Sequence, residues 1–296
     1  MPFRSPVFPR FPVGRTFASV SSTHPRFLSR SITAKYRRAR TGYNSFVKSL
    51  VLLLLALGPD DLAERHFERM KIESPDLSDP VASRVVVSML EKDVWVGAFT
   101  ELSSKFGKFR EDLSLTVDFA LDAEEVGRTT GRGAQWKISF NLKKLVEVRK
   151  KLDEFDRLKR EGKQVKFTVP PVKMERLVYH ELTHVLQNGV EQPRWFKEGM
   201  AQLVGDDDNM LLQFVKDRKA VKEIDVPLAD TVEIYARGHL FWKWLESRGV
   251  ATKTFELVFV QRLPLRESME EATNKSWTTL VADERDWSEN QIRKMK

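Results

Sequence analysis

The sequence predicts an α+β fold, with a small mixed β-sheet followed by a mainly helical C-terminal half. Two stretches, residues 113–121 and 136–142, alternate apolar and polar side chains with a period of two, which is typical of half-buried strands. From residue 172 onward, almost all apolar residues recur at helical spacings of three and four. A few strands followed by a run of helices indicate segregated α and β regions rather than alternating βαβ units.

Charge is distributed unevenly along the 296 residues. Residues 1–59 contain ten Lys/Arg and no Asp or Glu, which leaves 40 basic against 42 acidic side chains in the remainder. The net charge of +8 therefore belongs to the N-terminal segment, and we expect no nucleic-acid partner for the body of the protein. We predict a disordered basic extension over 1–59 and a single domain over 60–296, with its core within 110–290.

The N-terminal extension ends in an apolar run over residues 50–58, preceded by Lys48. A basic stretch followed by a short apolar run resembles a secretory signal or a membrane anchor. It favours an exported or membrane-associated protein, with possible membrane association through residues 47–58. The Arg/Ser-rich, acid-free composition also suits an organellar transit peptide, and a buried helix of the fold is the less favoured alternative for a run this short.

The elements before the helical half are predicted in chain order. Helical patterns occupy residues 61–72 and 81–106, and the two strands follow. Between the strands lies a segment with three glycines that lacks the Gly-Lys-Ser/Thr ending of a phosphate-binding loop, so we expect a hairpin-like or substrate-edge connection. An amphipathic helix over 143–161 and a third strand over 165–169 complete this half.

The segment 172–187 carries the clearest chemical signal. It has the apolar spacing of a helix that stops near Asn188 and Gly189. His180 and His184 are four residues apart, so both imidazoles project from one helix face and can meet one ion at about 2.0–2.1 Å. Glu181 is rotated by about 100° and can serve as the general base on a water at the ion without binding the ion. The chain has no cysteine, so any metal site must use His, Asp and Glu.

A third ligand is predicted at Glu198, on a second helix that begins near Arg194. The fourteen residues after His184 are enough to turn the chain and lay the second helix beside the first. Gly199 and Ala201 are small and would allow that approach. Two histidines and one glutamate leave a fourth position open for water, which distinguishes a catalytic zinc site from a structural one. We therefore expect one Zn²⁺ per chain.

The motif His180-Glu-Leu-Thr-His184 followed by Trp195-Phe-Lys-Glu198-Gly-Met-Ala resembles the gluzincin metallopeptidases, in particular the compact peptidase MA-like or minigluzincin group. The resemblance implies a zincin-like fold and hydrolysis of a peptide or protein substrate. It also implies that residues 233–249 and 264–287 form the helices that follow. The strand at 136–142 is then expected at the edge of the cleft, where a peptide pairs by strand addition.

The oxyanion of the reaction needs a hydrogen-bond donor beside the metal. The resemblance makes Tyr235 the candidate, because the corresponding helix supplies a tyrosine near this position. His239, four residues on, is the alternative. Gln202 is a candidate acceptor for a ligand imidazole, and Asp206-Asp207-Asp208 is expected to be a solvated loop.

A catalytically silent zinc-stabilised domain that binds a protein partner is the alternative function. Glu181 argues against it, because a purely structural site needs no carboxylate there. The oligomeric state, the cleavage specificity and the choice between end-trimming and internal cleavage stay open.

Overall fold

The protein is described by a computed structural model over residues 59–73, 75, 79–163, 173–228 and 230–295. These residues belong to one unit that spans Leu57–Lys296. The predicted basic extension, its apolar run at 50–58 and the predicted strand at 165–169 lie outside the described residues. Within the described ranges, every helix is too short or too polar to cross a membrane.

The first helical pattern forms α1, Pro59–Glu68, which is followed by a short strand that was not predicted, β1, Lys71–Glu73. The second pattern forms two helices, α2, Pro80–Met89, and α3, Lys92–Phe106. The break between them is stabilised by the buried indole of Trp95, which donates a hydrogen bond to the Met89 carbonyl at 2.7 Å. That bond satisfies one of the carbonyls left without a partner at the end of α2.

Among the described residues, the sheet has four strands: β1, β2 (Ser114–Asp118), β3 (Gly127–Arg132) and β4 (Gln135–Phe140). Their order is β1-β2-β4-β3, with parallel pairing from β1 to β2 and from β2 to β4. Only β3 runs antiparallel to its neighbour, through a tight turn at Gly133, where φ is +63°. The sheet is therefore mixed, as predicted, and the molecule as a whole is a mixed α+β structure with a mostly helical remainder.

The expectation that the strand around 136–142 forms an edge is wrong. β4 lies between β2 and β3, so both of its sides are paired, and the edges of the described sheet are β1 and β3. The sequence of β3, Gly-Arg-Thr-Thr-Gly-Arg, shows no apolar alternation because the strand is largely exposed. β3 is a strand because it pairs with β4, and the periodicity of apolar residues in its sequence could not have predicted it.

The predicted amphipathic helix after the sheet is confirmed as α4, Leu142–Arg160. It begins at Asn141, whose side chain accepts a hydrogen bond from the Lys144 backbone nitrogen at 3.1 Å. The inner face of the sheet packs on the helices through apolar side chains that are almost fully buried. They include Leu115, Val117, Trp136, Ile138 and Phe140.

The C-terminal half is helical, as predicted. Its helices are α5 (Met174–Leu186), α6 (Arg194–Val204), α7 (Asn209–Lys216), α8 (Thr231–Ser247), α9 (Ala251–Phe255), α10 (Leu265–Thr273) and α11 (Trp277–Met295). A π-helical turn, Glu256–Val260, continues directly from α9.

Helices α6 and α8 make backbone contact at two glycines. A Cβ placed on Gly199 would lie 2.1 Å from the carbonyl carbon of Gly238, and one on Gly238 would lie 1.9 Å from the Trp195 carbonyl oxygen. Beside this contact, the Trp242 indole donates to the Phe196 carbonyl at 2.8 Å. Only glycine permits this separation, so the pair fixes where α6 lies in the fold.

A buried ion pair ties α8 to α11. Both nitrogens of the Arg237 guanidinium terminus bond to the two carboxylate oxygens of Glu284, at 3.0 and 2.6 Å, and neither side chain is exposed. Ser288 donates to the same carboxylate at 2.6 Å, and Arg237 also donates to the Lys222 carbonyl. Every charge is thus satisfied, which a buried pair requires if it is not to destabilise the fold.

His66 gives the fold an expected sensitivity to acid. Its ring packs against Phe99 and Phe109, and neither ring nitrogen has a hydrogen-bond partner among the described residues. Burial, with the charges of Arg69 and Arg65, lowers the pKa of His66 from 6.5 to about 4. Between these values the unfolded chain binds more protons than the folded one, so the free energy of unfolding should fall as the pH falls from 6.5 to 4.

Between pH 7.5 and pH 5 this effect is about 2 kcal/mol, since pH 5 lies about 1.5 units below 6.5 and each pKa unit corresponds to about 1.4 kcal/mol. We expect His66→Phe to remove that much of the pH dependence, as measured by urea unfolding at pH 7.5 and pH 5. Because other groups titrate equally in both proteins, the difference between wild type and variant isolates His66. Parallel pH curves for the two proteins would contradict this assignment.

Candidate metal centre

Helix α5 presents two imidazoles side by side. Its apolar face, with Val178 and Leu182 fully buried, packs into the core and fixes the rotation of the helix. His180 and His184 then project together, with ring centroids 5.1 Å apart and ring planes inclined at 76°. Both rings are partly exposed to the cleft. The spacing of four residues has therefore placed them as predicted.

Helix α6 brings Glu198 to the same point. The turn between α5 and α6 reverses the chain through Asn188 and Gly189, which adopt φ values of +51° and +63°. The Glu198 Oε2 atom lies 3.6 Å from His180 Nε2 and 3.5 Å from His184 Nε2.

The two separations between imidazole nitrogen and carboxylate oxygen fit a tetrahedral ion. Two ligand atoms that each lie 2.0–2.1 Å from such an ion are separated by about 3.3–3.4 Å. One ligand atom from each of His180, His184 and Glu198 lies within 4.8 Å of the other two, and this is the sole such group of His, Asp and Glu side chains in the described part of the chain. The three predicted ligands are thus brought together and could hold a metal ion.

The surroundings of Glu198 keep it in the ionised form that a metal ligand needs. Burial raises the pKa of Glu198, but hydrogen bonds from His180 and His184 lower it by more, so this pKa lies well below its usual range. Burial lowers the pKa of His184, and the hydrogen bond and charges of the neighbouring carboxylates more than reverse that effect. Glu198 is therefore ionised at neutral pH, as a carboxylate ligand must be.

Gln187 contacts the His184 ring at Nδ1, the ring nitrogen that does not pair with Glu198. The His184 Nδ1 atom lies 3.0 Å from Gln187 Oε1, and the Gln187 amide nitrogen donates to the Lys197 carbonyl at 2.9 Å. This orientation of the amide makes its oxygen the acceptor, so His184 is protonated on Nδ1 and its Nε2 is free to bind an ion. Gln187 also connects α5 to α6, the two helices that carry the ligands.

Gln202, the predicted acceptor for a ligand imidazole, has its hydrogen bonds in the described structure with another residue. With its nitrogen turned toward the acceptors, its amide donates to Asp207, at 3.2 Å to Oδ2 and 2.6 Å to the backbone oxygen. Gln202 is buried, and these bonds tie it to the Asp206-Asp207-Asp208 loop. The role of Gln187 could have been predicted from the sequence, because Gln187 follows His184 by three residues and so lies on the same helix face.

Glu181 lies beside the ligands without joining them. It is 6% exposed, and the Thr129 hydroxyl lies 2.7 Å from its Oε2 and 3.1 Å from its backbone oxygen. A Cβ on Gly127 would come within 2.5 Å of Glu181 Oε1, so this glycine makes room for the carboxylate. Both supporting residues belong to β3, 52 or more positions earlier in the chain, and were not predicted.

Tyr235 enters the cleft from α8. The Arg194 guanidinium carbon lies 5.7 Å from the centre of the Tyr235 ring, and Arg194 Nε lies 3.9 Å from Glu198 Oε1. Burial and the charge of Glu198 raise the pKa of Tyr235 well above its usual range. Tyr235 therefore keeps its proton at neutral pH and can donate a hydrogen bond.

His239 is not brought to the metal centre. It is 2% exposed, and its Nδ1 lies 3.6 Å from Asp208 Oδ1, on the side of α8 that faces α7. Asp208 also pairs with Lys243 at 2.7 Å. Four residues along α8 correspond to an advance of about 6 Å, which takes the His239 ring out of the cleft that Tyr235 enters.

The cleft has a volume of about 480 Å³. One wall is the edge strand β3, and the opposite wall is the turn before α6 together with α6 itself. Its charged side chains have both signs, with Arg128, Arg194 and Lys197 against Glu125 and Glu191, besides the site carboxylates. Such a cleft can take an extended chain across the His/His/Glu cluster.

The role of Gln187 predicts a change in metal affinity. We expect Gln187→Leu to weaken zinc binding by about 10- to 100-fold, because the His184 imidazole loses the acceptor that fixes its orientation. Competition with a chromophoric chelator measures the affinity. Gln202→Leu is the matched control, since it removes an equally buried amide from α6 and should leave zinc affinity within about twofold. Equal losses in the two variants would contradict the assignment.

A scan against protein-family models finds no match to this chain, and searches of curated proteins and of solved structures find none either. The likeness to the gluzincin peptidases therefore rests on the motif residues themselves.

Proposed function

We propose that this protein is a zinc-dependent metallopeptidase with a zincin-like fold, of the gluzincin type. The observation that carries the proposal is the meeting of His180, His184 and Glu198 around one point, with the carboxylate of Glu181 beside them in the same cleft. A purely structural site would have no use for a second carboxylate held in this position.

Zinc is the metal that suits this set of ligands. Two imidazole nitrogens and one carboxylate oxygen form a known catalytic zinc set, with a fourth position for solvent or substrate. A bound zinc ion would supply Lewis-acid activation of water and of the scissile carbonyl.

Glu181 is assigned as the general base. Its Oε2 is held by the Thr129 hydroxyl, which leaves Oε1 to accept the proton of the attacking water. As the C–N bond breaks, the same carboxyl group returns that proton to the departing amine. The two proton transfers balance, so the residue is restored at the end of each turnover.

Tyr235 is assigned as the donor to the oxyanion. It faces the ligand cluster and keeps its proton, so its hydroxyl can donate a hydrogen bond when negative charge develops on the carbonyl oxygen. Arg194, packed against the Tyr235 ring, orients the phenol and adds a positive charge on the same side of the cleft.

The substrate is assigned as a peptide or protein in extended form. β3 is paired only on its β4 side in the described structure, and residues 127–131 line the cleft along its other side. An extended peptide can therefore add to β3 as a further strand and pass over Glu181. The near-neutral body and the mixed charges of the cleft favour a peptide over a nucleic acid.

The proposal is tested by metal analysis and hydrolysis together. We expect about one zinc per chain, digestion of a mixed peptide library, and loss of both in His184→Ala and on chelation. Full zinc occupancy in His184→Ala would show that the metal site is elsewhere. One zinc per chain without hydrolysis would instead favour the silent, partner-binding domain.

A further inference from the structure

A second cavity, which we call the distal cavity, adjoins the cleft but contains none of the predicted site residues. Its volume is about 650 Å³, larger than the cleft. It lies between the end of α3 with the loop that follows, the C-terminal end of α5, and the π-helical turn after α9. A volume of this size is in the range of binding pockets for peptide side chains or small molecules.

The floor of the distal cavity is apolar and ends in an unusually exposed residue. Phe259 is buried, Leu186 is partly buried, and Val260 is 62% exposed at the end of the π-helical turn. Such turns are rare and are frequent at functional sites. Here the turn places an apolar side chain at the rim of the cavity, where it has little packing of its own.

The rim of the distal cavity is positive. Lys108 and Arg262 line it, both are exposed, and neither makes an ion pair in the described part of the chain. Arg262 is held in the left-handed region, with φ at +61°. Lys105 and Arg110 also line the cavity but are paired with neighbouring acids. Lys108 and Arg262 therefore face the cavity together with one exposed carboxylate, Glu256, and the remaining excess of positive charge would favour acidic groups in an occupant.

The distal cavity adjoins the cleft at Trp136, which lines both. The indole nitrogen donates to the Gly133 carbonyl at 3.0 Å, and Gly131 lets the ring pack flat on the strand, since a Cβ there would lie 2.8 Å from the indole. Trp136 is thus a fixed wall with the cleft on one side and the distal cavity on the other.

We propose that the distal cavity is a substrate subsite, which binds an apolar side chain and an adjoining acidic side chain of the same peptide that occupies the cleft. The proposal rests on the peptidase function proposed above and names its substrate class. Thr129 contacts Glu181, and Gly133 lines the distal cavity, four residues further along the chain. At about 3.3 Å per residue, the subsite receives side chains about four residues from the scissile bond.

The test measures binding rather than turnover. The probes are fluorescein-labelled twelve-residue peptides that carry a Leu-Glu-Glu segment four residues to one side or the other of their centre. Matched peptides carry Leu-Lys-Lys instead. Anisotropy titrations use zinc-loaded Glu181→Gln protein, which does not consume the probe, with and without the double substitution Lys108→Glu and Arg262→Glu.

We expect the double substitution to raise the Kd of the acidic peptide, in one of the two placements, by about tenfold, because two ion pairs at the rim are lost. The Kd of the lysine peptides should not rise. Lys150→Glu with Lys151→Glu is the matched control, since these two exposed lysines of α4 also make no ion pair within the described residues. This control should change each Kd by less than about twofold.

Three results would overturn the proposal, and each leads to a different conclusion about the protein. An unchanged Kd for both acidic peptides, when wild type hydrolyses the library, rejects the subsite and leaves the peptidase assignment standing. A changed oligomeric state with unchanged peptide binding assigns the distal cavity to a contact between copies of the chain. Failure of zinc-loaded wild type to bind or cut any peptide rejects the peptidase function, and the subsite with it.

Discussion

Glu181→Gln is expected to keep one zinc per chain while peptide hydrolysis falls about 10³-fold. The amide has the same shape as the carboxylate and can keep the contact with Thr129, but it cannot accept a proton from water. General acid–base catalysis contributes about 10²–10⁴-fold, which sets the size of the loss. Because Glu181 is outside the His180, His184 and Glu198 cluster, metal binding should be unaffected.

The measurement combines metal content with kcat/KM on a peptide cut by the wild type. Glu191→Gln is the matched control, because Glu191 also lines the cleft and is exposed. The control should stay within about twofold of wild type in both quantities. Loss of zinc in Glu181→Gln would place this carboxylate among the ligands, and undiminished hydrolysis would remove it from the reaction.

Gly238→Ala is expected to lower the free energy of unfolding by about 3 kcal/mol or more. The new methyl group would meet the Trp195 carbonyl at 1.9 Å and the Gly199 backbone at 2.9 Å, and backbone atoms cannot move aside as a side chain can. Overpacking typically costs about 1–3 kcal/mol, and this contact is at the severe end. Since α6 must shift to relieve the contact, Glu198 should also move and zinc affinity should fall.

Gly97→Ala is the matched control for this prediction. Gly97 also lies inside a helix, α3, but a Cβ there would meet only the Tyr179 hydroxyl, at 3.1 Å. Both variants gain similarly in helix propensity, by about 1 kcal/mol, so their difference measures the clash between α6 and α8. Urea unfolding gives the stabilities and chelator competition gives the zinc affinities. Equal stabilities of the two variants would contradict the close helix contact.

The sequence alone predicted the part of the site that depends on local geometry. His180, Glu181 and His184 lie within five residues of one helix, so helical periodicity fixes their relative directions before any tertiary contact forms. Glu198 needed one further step, a turn followed by a second helix, and Gly189 signalled the turn. Gly199 was expected to let α6 approach α5, but it contacts Gly238 of α8 instead. The helices of the C-terminal half were predictable for the same reason, since apolar spacing reports a helix face directly.

The tertiary structure alone decided which segments surround that helix. β3 became the edge strand through pairing with β4, and it brings Thr129 and Gly127 to Glu181 across more than fifty residues of chain. The choice of Tyr235 over His239 as the residue that enters the cleft depends on where α8 meets α6 at Gly238. Spacing along the chain carries no information about contacts between distant segments, because these are set by packing and strand pairing. The motif of His180, Glu181 and His184 could therefore be recognised in the sequence, whereas the residues that surround it were determined only by the fold.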